Sequence, residues 1–122
     1  MNGKDATIFN ITFDCADARA QAQFWAAALG WTASEQDDAP GHVEYLVEPP
    51  DGASPRLYFT TVPEPKTAKN RLHFDLISDT FEAEAERLLG LGARQLRELQ
   101  SDKSRWITFA DIEGNEFDLI AR

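Results

Sequence analysis

The sequence predicts an α+β fold of two tandem βαβββ modules that together form one cleft-bearing curved sheet with the helices outside. Three observations predict it. Short stretches of alternating side-chain character mark strands, and two longer stretches with apolar residues at helical spacing mark helices. The order strand, helix, three strands then occurs twice, with a period of about sixty residues. The matching points are Phe13-Asp14 with Phe74-Asp75 and Leu29-Gly30 with Leu91-Gly92.

Module one covers about residues 6–61. Ala6–Cys15 reads as its first strand, with Ile8, Asn10 and Thr12 on one face and Phe9, Ile11 and Phe13 on the other. Asp17 is a suitable N-cap for a helix to Leu29, whose apolar stripe is Ala20, Phe24, Ala27 and Ala28, with Trp25 and Leu29 alongside and Gly30 as the stop. Strands follow around Trp31–Ser34, His42–Val47 and Arg56–Thr61, separated by turns over Glu35–Gly41 and Glu48–Pro55. The linker Val62–Asn70 leads into module two, about residues 71–122, within one domain. Leu72–Ile77 reads as a strand and Asp79 with Glu82 as a capping box. The helix they open buries Phe81, Ala85, Leu88 and Leu89 and stops near Gly90 and Gly92; strands follow near Ala93–Leu96, Arg105–Ala110 and Glu116–Ala121.

Composition narrows the function. With 122 residues, 43% of them hydrophobic and including 8 Phe and 3 Trp, the chain suits one folded domain rather than a disordered one. No run approaches the roughly 20 apolar residues of a membrane span, and Met1-Asn2-Gly3-Lys4-Asp5 lacks the apolar core of a signal peptide. The single cysteine, Cys15, forms no internal disulfide and suits a reducing cytoplasm, where it reads as a small buried residue. A net charge of −9 argues against nucleic acid, and Lys66, Lys69 and Arg71, the densest basic run, read as a solvated turn.

His73 and Glu116 are the candidate chemical groups. Both fall on expected strands, from which an imidazole and a carboxylate can project into a shared concavity, the beginning of a metal or acid/base site. A His73–Glu116 hydrogen bond that orients the ring is the alternative. In Arg105–Phe109, Trp106 and Thr108 share the face opposite Ile107 and Phe109, so Trp106 is a candidate wall of the cleft if the latter two pack beneath a helix. Asp111 and Glu113 read as turn formers, and Asp118, on the face of Glu116, as a solvated rim carboxylate with a second cleft carboxylate as the alternative. His42 reads as a solvent-facing residue at a strand start.

Three stretches together resemble one family: Phe24-Trp25-Ala26-Ala27-Ala28-Leu29-Gly30-Trp31, the run from Val62-Pro63-Glu64-Pro65-Lys66 into Asn70-Arg71-Leu72-His73-Phe74-Asp75, and Glu113-Gly114-Asn115-Glu116-Phe117. The chain resembles, over nearly its whole length, the vicinal-oxygen-chelate (glyoxalase/bleomycin-resistance/dioxygenase) superfamily, in particular its small glyoxalase-like domain group. The resemblance implies a ligand cleft between the modules and four strand positions for metal ligands. His73 and Glu116 match two of these; Asn10 and Thr60 occupy the other two, and neither is a usual ligand for a divalent cation. Ile112 stands where the family commonly has proline.

The resemblance therefore implies a small organic ligand, contacted by Asn10 and Thr60 and, by strand alternation, Trp106, and a reduced site for Zn, Ni, Mn, Fe or Co or no cofactor at all. It leaves lyase- or isomerase-like chemistry through His73 and Glu116 beside non-catalytic sequestration, and speaks against a true glyoxalase I or extradiol dioxygenase. The expected partner is a second copy of the chain, with neither nucleic acid nor membrane.

Overall fold

The computed structural model describes residues 5–40 and 42–122, with Asp38 described by its backbone alone. The chain divides into two compact units, one running to Glu64 and the other from Pro65 to Arg122. Each has the βαβββ order, so the fold is α+β with two four-stranded sheets.

In the first unit, β1 (Asn10–Cys15), α1 (Ala18–Leu29), β2 (Thr32–Ala39), β3 (His42–Glu48) and β4 (Arg56–Thr61) build a sheet in the order β1-β4-β3-β2. β1 runs parallel to β4, because the helix between the ends of β1 and β2 carries the chain across the sheet; the other pairs are antiparallel. The Asp17 carboxylate caps α1 by accepting the Ala20 N–H at 3.1 Å, and Gly30, at φ 70°, closes it with a bond to the Ala26 carbonyl. The buried stripe of α1 is Ala18, Gln21, Ala22, Phe24, Trp25 and Ala28, whereas Ala27 of the expected stripe is exposed. Trp25 sets this rotation: it is 1% exposed and contacts Phe24 edge-on, with centroids 5.2 Å apart, while Phe13 stacks on Phe59 at 4.8 Å.

β1 is shorter than the sequence suggests, since Ile8 and Phe9 are exposed and β1 pairs only from Asn10. β2 is longer. The polar stretch expected to be a turn continues as an edge strand to Ala39, with a bulge between Glu35 and Asp37. Charged residues are common on edge strands, so polarity alone did not distinguish this segment from a loop.

The second unit repeats the plan with β5 (Asp75–Ser78), α2 (Phe81–Leu91), β6 (Arg94–Gln100), β7 (Arg105–Ala110) and β8 (Glu116–Ala121), in the order β5-β8-β7-β6. Phe81, Ala85 and Leu88 of α2 are buried, as are Ile107, Phe109, Phe117 and Leu119 on one face of the sheet; Phe109 and Phe117 stack at 5.5 Å. Leu89, expected in the core, is 38% exposed. The capping box does not form. Thr80 is the N-cap and makes no side-chain cap bond, Asp79 pairs with Arg122 at 3.0 Å, and Glu82 pairs with Arg105 at 2.7 Å.

Gly92 ends α2 at φ 114°, in a conformation L side chains rarely adopt, and a Cβ there would come 3.1 Å from Ile112 Cγ2. Like β2, β6 is an edge strand extended beyond expectation and carries a bulge, between Gln95 and Arg97.

Among the described residues, no helix is long and apolar enough to cross a membrane.

Candidate functional site

A concavity of about 270 Å³ opens on the second unit, and every residue lining it belongs to that unit. Its floor is the sheet face opposite α2. Alternation along β7 and β8 turns Ile107, Phe109, Phe117 and Leu119 into the core and leaves Trp106, Thr108, Glu116 and Asp118 on the other side. Those four, with His73, Lys69, Arg97 and Leu99, line the space.

His73 lies two residues before β5, not within a strand. Its segment is fastened to β8 by Asn70, whose Oδ1 accepts the Glu116 N–H at 2.7 Å and whose Nδ2 donates to the carbonyls of Glu116 (3.0 Å) and Leu72 (2.7 Å). The Asn70 amide thus replaces the ladder hydrogen bonds expected of Leu72–Ile77, and regular pairing begins at Asp75, opposite Asp118. At the far end of the hairpin, Asp111 Oδ1 accepts the N–H groups of Glu113 and Asn115 at 2.9 Å, and Gly114 takes φ 85°. That turn sets where β8 starts and therefore where Glu116 and Asp118 stand.

The pairing within the site differs from the sequence expectation. His73 Nδ1 lies 3.1 Å from Asp75 Oδ1, while the Glu116 carboxylate takes Arg97 Nη2 at 3.1 Å. Asp118 Oδ1 accepts the hydroxyl of buried Thr108 at 2.6 Å. His73, Asp75 and Asp118 form the group that could hold a cation, each offering a donor atom within 4.8 Å of the others. One imidazole nitrogen and two carboxylate oxygens are a donor set that Mn, Fe, Co, Ni and Zn accept. Where Nδ1 carries its proton toward Asp75, Nε2 keeps the lone pair for a ligand, a metal or a proton.

Asn10 and Thr60 belong to the first unit and to its own sheet. The Asn10 Oδ1 accepts Arg56 Nε at 3.0 Å, so the amide oxygen is already engaged. Thr60 pairs through its backbone with Asp14 and Glu44. On the same sheet face, Tyr58 donates to Glu44 at 2.6 Å, and His42, more than half exposed, lies 2.7 Å from Asp37.

Asp75 and Arg97 carried no expected role in the site, and Lys69 only that of a solvated turn. For Asp75 a signal existed, since it shares by alternation the face of His73. For Arg97 it did not. Simple alternation puts residues 95 and 97 on one face, but the bulge pairs Gln95 with Phe109 and Arg97 with Thr108, which turns Arg97 toward the concavity.

The family model for the glyoxalase-like domain matches residues 10–120 of the chain. This chain belongs to the glyoxalase-like domain family. Solved structures of the same fold include a member of the glyoxalase/bleomycin resistance protein/dioxygenase superfamily from Sphaerobacter thermophilus, with a TM-score of 0.69 at 19% identity over 96% of this chain and 98% of that one. A hypothetical protein of S. aureus gives 0.67 at 15% identity, covering 98% and 100%. The fosfomycin resistance protein FosX of Listeria monocytogenes, in complex with Mn(II) and 1S,2S-dihydroxypropylphosphonic acid, gives 0.69 at 16% identity, covering 94% and 88%. No curated protein matches the chain. At these identities the structures share the fold, and the chemistry of this glyoxalase-like chain has to be argued from its own residues.

Proposed function

We propose that this glyoxalase-like protein binds a small oxygenated organic molecule in the concavity of its second unit. The observation that carries this reading is an aromatic wall, Trp106, and the carboxylates Glu116 and Asp118 on one sheet face, with His73 beside them, around about 270 Å³ of open space. That volume is at the small end for ligand pockets, so the ligand is metabolite-sized.

A second, catalytic reading is favoured by the convergence of His73, Asp75 and Asp118. These three would hold a divalent cation, with Glu116 beside them but committed to Arg97. When bound, the cation would polarise a ligand carbonyl or hydroxyl oxygen. In the absence of a cation, His73, steadied by Asp75, would instead hold the exchanging proton of lyase- or isomerase-like chemistry. The Mn(II) in the FosX complex is consistent with a cation on this fold. Without turnover, the same concavity serves sequestration. A homodimer acting in the cytoplasm completes the proposal, the buried Cys15 thiol being compatible with a reducing compartment.

Thermal unfolding with Mn²⁺, Fe²⁺, Co²⁺, Ni²⁺ and Zn²⁺, on wild type and His73→Ala, tests the cation reading. A ligand that binds only the native state stabilises it by roughly 2.7 kcal/mol at a hundred times its Kd, a readable shift in melting temperature. The expected outcome is stabilisation by at least one ion in the wild type and none in His73→Ala. A shift that persists in the variant would place the ion elsewhere, and no shift with any ion would leave the binding reading alone standing.

A further inference from the structure

We propose that the concavity recognises an organic anion, with Lys69 and Arg97 seating a carboxylate or phosphonate and Trp106 and Leu99 covering its apolar body. This inference rests on the binding reading above and adds the class of ligand. It starts from the hydrogen-bond donors of the site. Among the described residues, the Lys69 ammonium has no protein partner, although it lines the concavity. Arg97 makes one contact, through Nη2 to Glu116, which leaves its other N–H groups for a second oxyanion. The half-buried Trp106 has no acceptor for its indole N–H among the described residues, a donor that usually finds one when it is covered.

The acids of the site do not offset these donors equally. Glu116 is neutralised by Arg97, whereas Asp118, one oxygen of which accepts the Thr108 hydroxyl, and Asp75 beside His73 keep their charges, so the anion is seated by local donors and not by a net positive field. The wider charge distribution agrees. Nine of the twelve lysines and arginines fall in residues 65–122, which carry a formal charge of −2, against −7 for residues 1–64. The concavity thus offers the Lys69 ammonium and further Arg97 N–H groups to an organic anion in the less acidic half of an acidic chain.

Leu99 is 37% exposed although it sits on a sheet face, and Trp106 pairs with it across the strands. The two form an apolar strip beside the cations, and this combination selects an acid with an apolar body over inorganic phosphate.

Tryptophan fluorescence titrations with benzoate, phenylphosphonate and their neutral shape match benzamide test this, in EDTA so that no metal serves as anchor. Trp106→Phe assigns the signal among the three tryptophans. Both acids, or the one whose geometry the site prefers, should bind about tenfold tighter than benzamide. Lys69→Ala should remove most of that preference, weakening the acids far more than benzamide. Arg97→Ala/Glu116→Gln should do the same without leaving a bare carboxylate, and because Lys69 is exposed and unpartnered, its variant keeps the test valid if the double variant misfolds. Equal affinity for benzamide and both acids would overturn the anion inference while the binding reading survives. No Trp106 response to any of the three would overturn both.

Discussion

Among the described residues, the Tyr58 hydroxyl is held well away from its ordinary acidity. Its hydroxyl donates to Glu44 Oε1 at 2.6 Å, and this bond to a carboxylate, aided by partial burial, pushes its pKa from 10.0 up to about 12. The folded state therefore favours the protonated phenol. The stabilisation is fully present below pH 10 and is lost as pH rises through 12. In a Tyr45→Phe background, phenolate absorbance should show Tyr58 ionising near 12, and adding Glu44→Gln should bring the midpoint down toward the ordinary value. A midpoint near 10 with Glu44 intact would mean the bond does not hold in solution. At this scale the sequence was only partly informative about the candidate site. His73 and Trp106 could be singled out because their residue types are chemically distinctive and their alternation was readable. That His73 meets Asp75, and Glu116 meets Arg97, depends on where Asn70 and the β6 bulge place the backbone, and neither leaves a local signature.

Among the elements, α1 was the most legible, because both of its ends are written in single residues. Asp17 and Gly30 stop the helix by local hydrogen bonding and a left-handed backbone, whatever packs around it. Asp17→Ala should cost about 1 kcal/mol, lowering the melting temperature by roughly 4 °C, and Asp17→Asn should recover most of it. An unchanged melting temperature for Asp17→Ala would show that tertiary packing alone defines the helix start. α2 shows the limit of such reasoning. Asp79 and Glu82 have the spacing of a capping box, but Arg122 and Arg105, both distant in sequence, hold them instead. The Arg105 bond is also what holds the Glu82 carboxyl below its usual pKa. The edge strands β2 and β6 were read short for a related reason. Their outward residues are polar like those of loops, and only pairing with β3 and β7 keeps them extended.

At the scale of the molecule, the duplicated order was visible in sequence because each module repeats its own punctuation, a strand, an amphipathic helix and a glycine stop. Overall electrostatics is a property of the same scale, to which no single residue is a guide. The ion pairs of the described residues are exposed or half-exposed, such as Arg87–Glu84 and Arg19–Glu35, and pairs of that kind contribute little. Against them stands a formal charge of −9, with ten of the twenty-one acids in residues 1–64 beside only three bases. Screening weakens both terms, but the attractions are short and local while the repulsion extends over the surface, so added salt removes more repulsion than attraction. With EDTA present to exclude adventitious divalent ions, raising NaCl from about 20 mM, where the Debye length exceeds 20 Å, to about 300 mM should raise the melting temperature by a few degrees at pH 7. The gain should shrink as pH falls toward the pI of about 4.6 and the net charge vanishes. A melting temperature that falls with salt would mean that the surface ion pairs outweigh the net charge.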